Sequence, residues 1–494
     1  MTYTNSLRGR AQFALFVLVL SCGAHAAPSS ASSPSLLRSS SPPPPSLLPS
    51  SSRPASSPSS LPSSSPPPPP ASSSQQQADA TLVERGAYLA SAGDCISCHT
   101  AKNGKPFAGG LPLDTPLGKV YSTNITPDPA SGIGSWSYED FSTLMRHGKT
   151  KHGYTVYPAM PYPSYAHIDD ADMHALYAYF MHGVTPVTRA NRASDIPWPL
   201  SMRWPLTVWS WAFGPAPKPY RAPAGTPAEV AAEVARGAYL VQGLGHCGSC
   251  HTPRGVALQE LSLGDDAKPV FLAGGESIDG WIAPSLRNEH GDGLAAMPAE
   301  DIVAFLRSGR NAHVASFGAM NDVVANSMQH MSEADLKSIA AYLKSLPPRK
   351  AAAAPYRYDP TIATALYHGQ VPGAGAQIYL DRCAGCHRSD GKGNGKAFPA
   401  LAGNPVLQTG DPTSAIHIVL TGGAMPPTRT APSAMTMGPY AAILSDREIA
   451  DVVTFVQTSW GNRGGGATER QVTKLRRQVV VPPVSARSAE PLAR

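Results

Sequence analysis

Beyond residue 27 the chain, 494 residues in all, has no apolar run approaching the length of a membrane-spanning helix. Any contact with a membrane is therefore expected to be peripheral or made through a partner. A phosphate-binding loop, a dinucleotide fingerprint and a nucleophile triad are also missing. That removes the usual sequence grounds for a nucleotide-driven enzyme or a hydrolase, so the chemistry must come from something bound. Thiols are scarce as well. There are seven cysteines, and six of them fall into a single pattern.

The pattern is Cys-x-x-Cys-His. It occurs as "GDCISCHT" with Cys95, Cys98 and His99, as "GHCGSCHT" with Cys247, Cys250 and His251, and as "DRCAGCHRS" with Cys383, Cys386 and His387. A zinc ribbon takes Cys-x-x-Cys pairs two at a time, so three pairs leave one over. A thioredoxin-type motif has no need of a histidine after its second cysteine. Covalent haem c needs all three residues. The thiols add to the two vinyl groups, and the adjacent histidine lies under the iron as its proximal ligand. Three haems c are expected.

Haem c is attached outside the bacterial inner membrane, and the chain opens with an export signal. Arg8 and Arg10 precede the apolar "AQFALFVLVL", and Ala24-x-Ala26 offers a cleavage site. Cleavage there removes the seventh cysteine, Cys22. The alternative is a lipoprotein acylated at Cys22, since "VLSC" loosely resembles a lipobox. The formal charge of +6 would fall to +4 without the two leader arginines. Haem propionates would offset that remainder, so nucleic acid is not an expected partner. Residues 28–77 hold 15 prolines and 22 serines, too few apolar groups to offset the entropy of folding. They are expected to form a disordered tether.

After the tether one plan recurs three times. "VERGAYLASAGDCISCHT" and "VARGAYLVQGLGHCGSCHT" match across the helix that leads into the motif, and "GAGAQIYLDRCAGCH" keeps a Gly-Ala and a Tyr-Leu. Each copy closes with a helical pattern: "IDDADMHALYAYFMHG", "MSEADLKSIAAYLKSLPP" and "LSDREIADVVTFVQTSWG". Each pattern opens on a capping sequence, Asp169 with Asp172, Ser332 with Asp335 and Ser445 with Glu448.

This plan resembles class I cytochrome c. The threefold array resembles the tri-haem cytochrome c subunit of bacterial membrane-bound dehydrogenases for alcohols, gluconate, sorbitol or fructose. "TPLGKVYSTNITPDPASGIGSWSYEDF", "FLAGGESIDGWIAPSL", "FPALAGNP" and "VQTSWGN" look like elements of that family. The resemblance covers about residues 81–463 and implies a mainly α fold of three tandem class I cytochrome c domains. The expected order is signal peptide 1–26, tether 27–80, first domain 81–190 and a Trp/Pro-rich linker 191–228. The second domain 229–350, a linker 351–368, the third domain 369–465 and a basic disordered tail 466–494 follow.

A second axial ligand closes a haem iron for electron transfer, whereas an open iron binds small molecules. A distal methionine should lie on a rigid loop shortly before each closing helix. Met160 in "YPAMPYPSY" precedes Asp169 by nine residues, Met320 in "FGAM" precedes Ser332 by twelve, and Met437 precedes Ser445 by eight. These choices also match where the family's distal methionines fall. Met435 competes with Met437, while Met425 sits too far back. Met145, Met173 and Met181 belong to helices, and Met328 and Met331 crowd a helix start. The glycine loops Phe107–Gly110 and Phe271–Gly275 should pack close to the haems. Asn124, Thr126, Ser285 and Pro399 are candidates to bind a propionate or to accept the proximal His N–H.

Residues 196–215 hold four of the seven tryptophans. They suit either an interface, with a dehydrogenase subunit or a membrane, or a plug between domains. With no substrate-oxidising site of its own, the chain reads as an electron relay on the periplasmic face of the inner membrane. Its expected partners are a catalytic subunit carrying a flavin or quinone cofactor, which oxidises CH–OH donors, and membrane ubiquinone. The rivals are the cytochrome subunit of a molybdenum aldehyde-type dehydrogenase, a free-standing carrier, and a catalytic haem enzyme such as a peroxidase.

Overall fold

The computed structural model describes residues 73–214, 226–265, 269–278, 280–349 and 354–479. The leader, Cys22 and nearly all of the tether lie outside these residues. No helix among them is long and apolar enough to cross a membrane.

The architecture is mainly helical and is built around three crossed helix pairs. Ser73–Ala92 packs on Asp170–Ala178, Ala228–Tyr239 on Glu333–Ser345, and Ala374–Arg382 on Asp446–Thr458. The first of these helices begins at Ser73, inside the stretch expected as tether. At each crossing the opening helix presents a glycine. A Cβ on Gly86, Gly237 or Gly375 would overlap the backbone carbonyl oxygen of Ala175, Ser338 or Asp451 respectively. Only the missing side chain lets the two backbones approach this closely. A two-residue or four-residue antiparallel hairpin accompanies each pair: 112–115 with 118–121, 277–278 with 281–282, and 423–424 with 436–437.

The three closing helices start from the expected caps. Asp169, Ser332 and Ser445 each accept the backbone N–H of the third helical residue, Asp172, Asp335 and Glu448. The acids then part ways. Glu448 folds back onto Ser445 and completes a capping box. Asp172 and Asp335 turn instead to the opening helices. Asp172 pairs with Arg85 at 2.6 Å, and Asp335 with Arg236 at 2.8 Å. Each also accepts a tyrosine hydroxyl from the other segment, Tyr239 to Asp172 at 2.8 Å and Tyr88 to Asp335 at 2.5 Å. The matching Arg-Gly-Ala-Tyr stretches thus make a reciprocal pair of bonds that ties the first two segments together. Burial works against the Asp335 charge, but Arg236 and Tyr88 outweigh it and hold this carboxyl below its ordinary range.

The third segment joins by other means. Trp281 of the second segment stacks on His417 with ring centroids 3.8 Å apart, and Arg310 donates to the Met425 sulfur at 3.6 Å. The basic tail expected from residue 466 begins instead with a helix, Glu469–Arg476. A Thr468/Gln471 capping box starts it, and Val472 and Leu475 are buried. Arg476 then bonds Asp446 at 2.6 Å. An apolar pair three residues apart was enough to dock it despite the charge of its surroundings.

Candidate haem sites

Each Cys-x-x-Cys-His motif forms a single helical turn, within Cys95–His99, Gly248–His251 and Ala384–His387. A glycine loop closes over each turn. The carbonyl of His99 accepts the N–H of Gly109, that of His251 accepts Gly274, and that of His387 accepts Gly393. In the two Cys-His-Thr copies the threonine adds a bond, with Thr100 accepting Phe107 N–H and Thr252 accepting Leu272 N–H. The expected close approach of these loops is a packing of backbone on backbone. Gly109 and Gly274 have φ of +67° and +92°, and a Cβ on Gly275 would overlap the Cys250 carbonyl.

All three motif histidines are oriented in the same way. Nδ1 of His99 donates to the Thr123 carbonyl at 2.7 Å, that of His251 to Pro284 at 2.8 Å, and that of His387 to Pro399 at 2.9 Å. With Nδ1 carrying the proton, Nε2 keeps its lone pair for a metal. Burial lowers the pKa of each of these imidazoles, favouring the neutral form that can coordinate. It also pushes the Cys95 and Cys247 thiols up to about 12 and Cys383 to about 11.

Of the residues expected around the histidines, Pro399 supplies an acceptor through its carbonyl. Thr123 and Pro284 stand one position before Asn124 and Ser285. The Asn124 side chain instead bonds Thr126 and the Val187 carbonyl, and Ser285 bonds Glu289 at 2.8 Å. These side chains build the loops whose carbonyls do the orienting.

The methionines sort by surroundings. Met160 and Cys95 pack against the same apolar cluster, which contains Phe107, Phe141 and Phe180. Met320 and Cys247 share another, around Leu272 and Leu336. Met320 opens a helical segment, Met320–Asn326, where a loop was expected. Met145, Met173, Met328 and Met331 are buried in the cores. In the third segment a largely apolar cavity of about 270 Å³ is lined by Cys383, Cys386, His387, Pro399, Met435 and Met437. Met437 is the more enclosed of the two thioethers, and Met435 is 36% exposed. Met425 also borders the cavity, with its sulfur facing the Arg310 guanidinium. Two thiols, an imidazole and a thioether around one apolar space suit a covalently held haem. The second segment contributes Trp281 and Phe317 to this cavity wall, a role that nothing in the local sequence signalled.

The tryptophan segment divides. Trp209 acts as a plug, its ring against Tyr162 and its Nε1–H donated to the Ala257 carbonyl at 2.8 Å. Trp198, Trp204 and Trp211 are 81%, 66% and 83% exposed.

Residues 83–183 and 373–460 match the cytochrome c family. Over 401 residues the chain is 52% identical to the cytochrome c subunit of alcohol dehydrogenase (quinone) from Gluconacetobacter polyoxogenes, covering 81% of this chain and 85% of that protein. It is 51% identical over 408 residues to the gluconate 2-dehydrogenase cytochrome c subunit of Pantoea cypripedii, covering 82% and 92%. Similarity extends to the fructose dehydrogenase cytochrome subunit of Gluconobacter japonicus, 33% over 411 residues, covering 80% and 82%.

Proposed function

The chain belongs to the family of dehydrogenase cytochrome c subunits, and from that premise we propose that it is a tri-haem electron relay. It passes electrons from a periplasmic dehydrogenase subunit to membrane ubiquinone. The supporting observation is the orientation shared by the three histidines, each with Nδ1 held by a loop carbonyl. Cys95 and Cys98, Cys247 and Cys250, and Cys383 and Cys386 hold the haems through thioether bonds. His99 with Met160, His251 with Met320 and His387 with Met437 would ligate the three irons. Bound haem supplies a one-electron couple, whose ferrous state a thioether ligand favours. The chain supplies the rest: fixed imidazoles, apolar walls that keep water away, and three tandem cytochrome c domains that hold the sites in one body.

The donor is a CH–OH compound oxidised on the partner, which carries a flavin or quinone cofactor. Relatives named for an alcohol dehydrogenase and for a gluconate dehydrogenase are about equally similar to this chain. A relay that never touches the donor has no reason to record its identity. The protein works at the periplasmic face of the inner membrane, after export by residues 1–26.

Intact mass of the mature protein tests the haem count. Three covalent haems are expected, and a mass corresponding to apoprotein or to two haems would refute it. Carbon monoxide tests the ligand sets. The ferrous protein should not bind it, and each of Met160→Ala, Met320→Ala and Met437→Ala should open one site. Stoichiometric binding by the unmodified protein would replace the relay with a catalytic haem enzyme. Donor-driven haem reduction in the co-purified complex tests the direction of flow.

A further inference from the structure

The helix Trp204–Phe213 is apolar on two faces. Leu206, Trp209, Ser210 and Phe213 follow helical spacing and turn towards the protein, where Trp209 meets Tyr162 and Ser210 bonds the His147 carbonyl at 3.4 Å. Trp204, Val208 and Trp211, spaced i, i+4 and i+7, form a second stripe that is 66%, 52% and 83% exposed. Trp198, Leu200 and Met202 just before the helix are exposed too. Scattered surface apolar residues are ordinary, but a tryptophan-rich row on a helix already packed through its other side is not.

The segments that carry and flank this row are basic, although Asp140 lies near Lys151 and Glu260 lies beneath Trp209 and Phe213. Residues 141–168 and 196–214 contain no aspartate or glutamate. The turn after His147 lies against the helix, with Thr155 and Thr207 hydroxyls 3.0 Å apart, and carries exposed Lys149 and Lys151. Arg203 stacks over Tyr157 at 3.9 Å at the helix start.

We propose that this face seats the protein on the headgroup layer of an anionic membrane. The proposal rests on the reading of the chain as a relay to membrane quinone and names the surface that reaches the bilayer. Tryptophan suits the boundary between headgroups and acyl chains, because its ring is apolar while its N–H needs a polar partner. A ten-residue helix is about 15 Å long, too short to span but suited to lying in the interface. Exposed Lys149 and Lys151 beside an exposed tryptophan row complement lipid phosphates above an apolar layer, and only Asp140 offsets one of them. Seating here also brings the Met160 loop, which carries Tyr162 against Trp209, to the bilayer side.

The test is flotation of the detergent-free holo-complex with vesicles of phosphatidylcholine, with or without phosphatidylglycerol, followed by haem absorbance. The unmodified protein should float with the anionic vesicles and be released by salt. W204S/W211S should weaken partitioning about tenfold or more. K149Q/K151Q should weaken it about fivefold per lysine on anionic vesicles only. Haem content and donor-driven haem reduction in detergent should stay unchanged in both variants. Absence of donor-driven reduction in the unmodified complex would count against the relay itself and would leave the flotation result to judge the membrane face. Flotation unchanged in both variants would overturn the proposal. Loss of the dehydrogenase subunit from W204S/W211S with flotation retained would assign the face to that subunit instead.

Discussion

A histidine that ligates a metal has one ring nitrogen left over, and what that nitrogen meets decides how firmly the ligand is aimed. In the three motif histidines, proposed as haem ligands, Nδ1 meets a backbone carbonyl at separations of 24, 33 and 12 residues. Those unequal distances are why the acceptors were hard to see beforehand. Every residue carries a carbonyl, and only Pro399 was singled out directly, while Asn124 and Ser285 pointed one position too far. The Cys-x-x-Cys-His turns could be read at once, because two thiols and an imidazole at fixed spacing have few other uses. Methionine is less telling, and surroundings had to separate thirteen of them. Arg310 supplies one such separation. Its guanidinium donates to the Met425 sulfur, so that sulfur is engaged away from an iron. On the proposed set of three haems, Met425→Ala should therefore leave the one at Cys383 and Cys386 closed to carbon monoxide, whereas Met437→Ala should open it. If Met425→Ala opens that haem, or Met435→Ala does so while Met437→Ala does not, the third ligand is misassigned.

Helix pairing depends on three glycines that look dispensable in a helical sequence. Gly86 and Gly237 fall within matching Arg-Gly-Ala-Tyr stretches, which revealed the helices but not the reason for the glycine. That reason lies in a partner carbonyl about 90 to 100 residues away in sequence. A methyl group at either position must push the backbones apart, and overpacking of this kind costs typically about 1–3 kcal/mol. Gly86→Ala and Gly237→Ala should each lower stability by at least that amount in chemical denaturation. Gly410→Ala, where an added Cβ meets nothing within 4 Å, should be near neutral. Equal behaviour of all three would mean the crossings tolerate a side chain. The terminal helix Glu469–Arg476 shows the converse case, in which local pattern and overall charge point in opposite directions. Its capping box and its Val472/Leu475 pair were visible in the sequence, but the surrounding basic residues suggested a solvated tail.

Two kinds of joint hold the three described helix-pair segments together. The first two segments exchange tyrosine–carboxylate bonds backed by arginines, and the carboxylates are the N3 acids of helix caps. Such bonds respond to pH. Asp335 has a depressed folded-state pKa, so its contribution is complete above the ordinary carboxylate pKa of about 4 and fades as pH falls through the folded value. Asp335→Asn should therefore cost about 1–3 kcal/mol near neutrality, and the gap from the unmodified protein should close in acid. A gap that stays constant with pH would show that the charge is not what matters there.

The second joint is built largely from packing and neutral bonds. Trp281 lies flat on His417, whose Nδ1 meets the Gly280 carbonyl at 2.9 Å, and the same tryptophan walls the cavity of the third segment. Removing that half-buried ring should enlarge the void where second and third segments meet, at a cost of about 1–3 kcal/mol, below that of a fully buried ring. Because the crossed tyrosines lie elsewhere, Trp281→Ala should speed hydrogen exchange in Thr413–Thr421 while sparing Ser73–Ala92. Tyr239→Phe should do the reverse, loosening Asp170–Ala178, whose Asp172 accepts that hydroxyl, and Ala228–Tyr239 without touching Thr413–Thr421. If either change loosens all three segments together, the joints are not independent and the molecule opens as one cooperative unit.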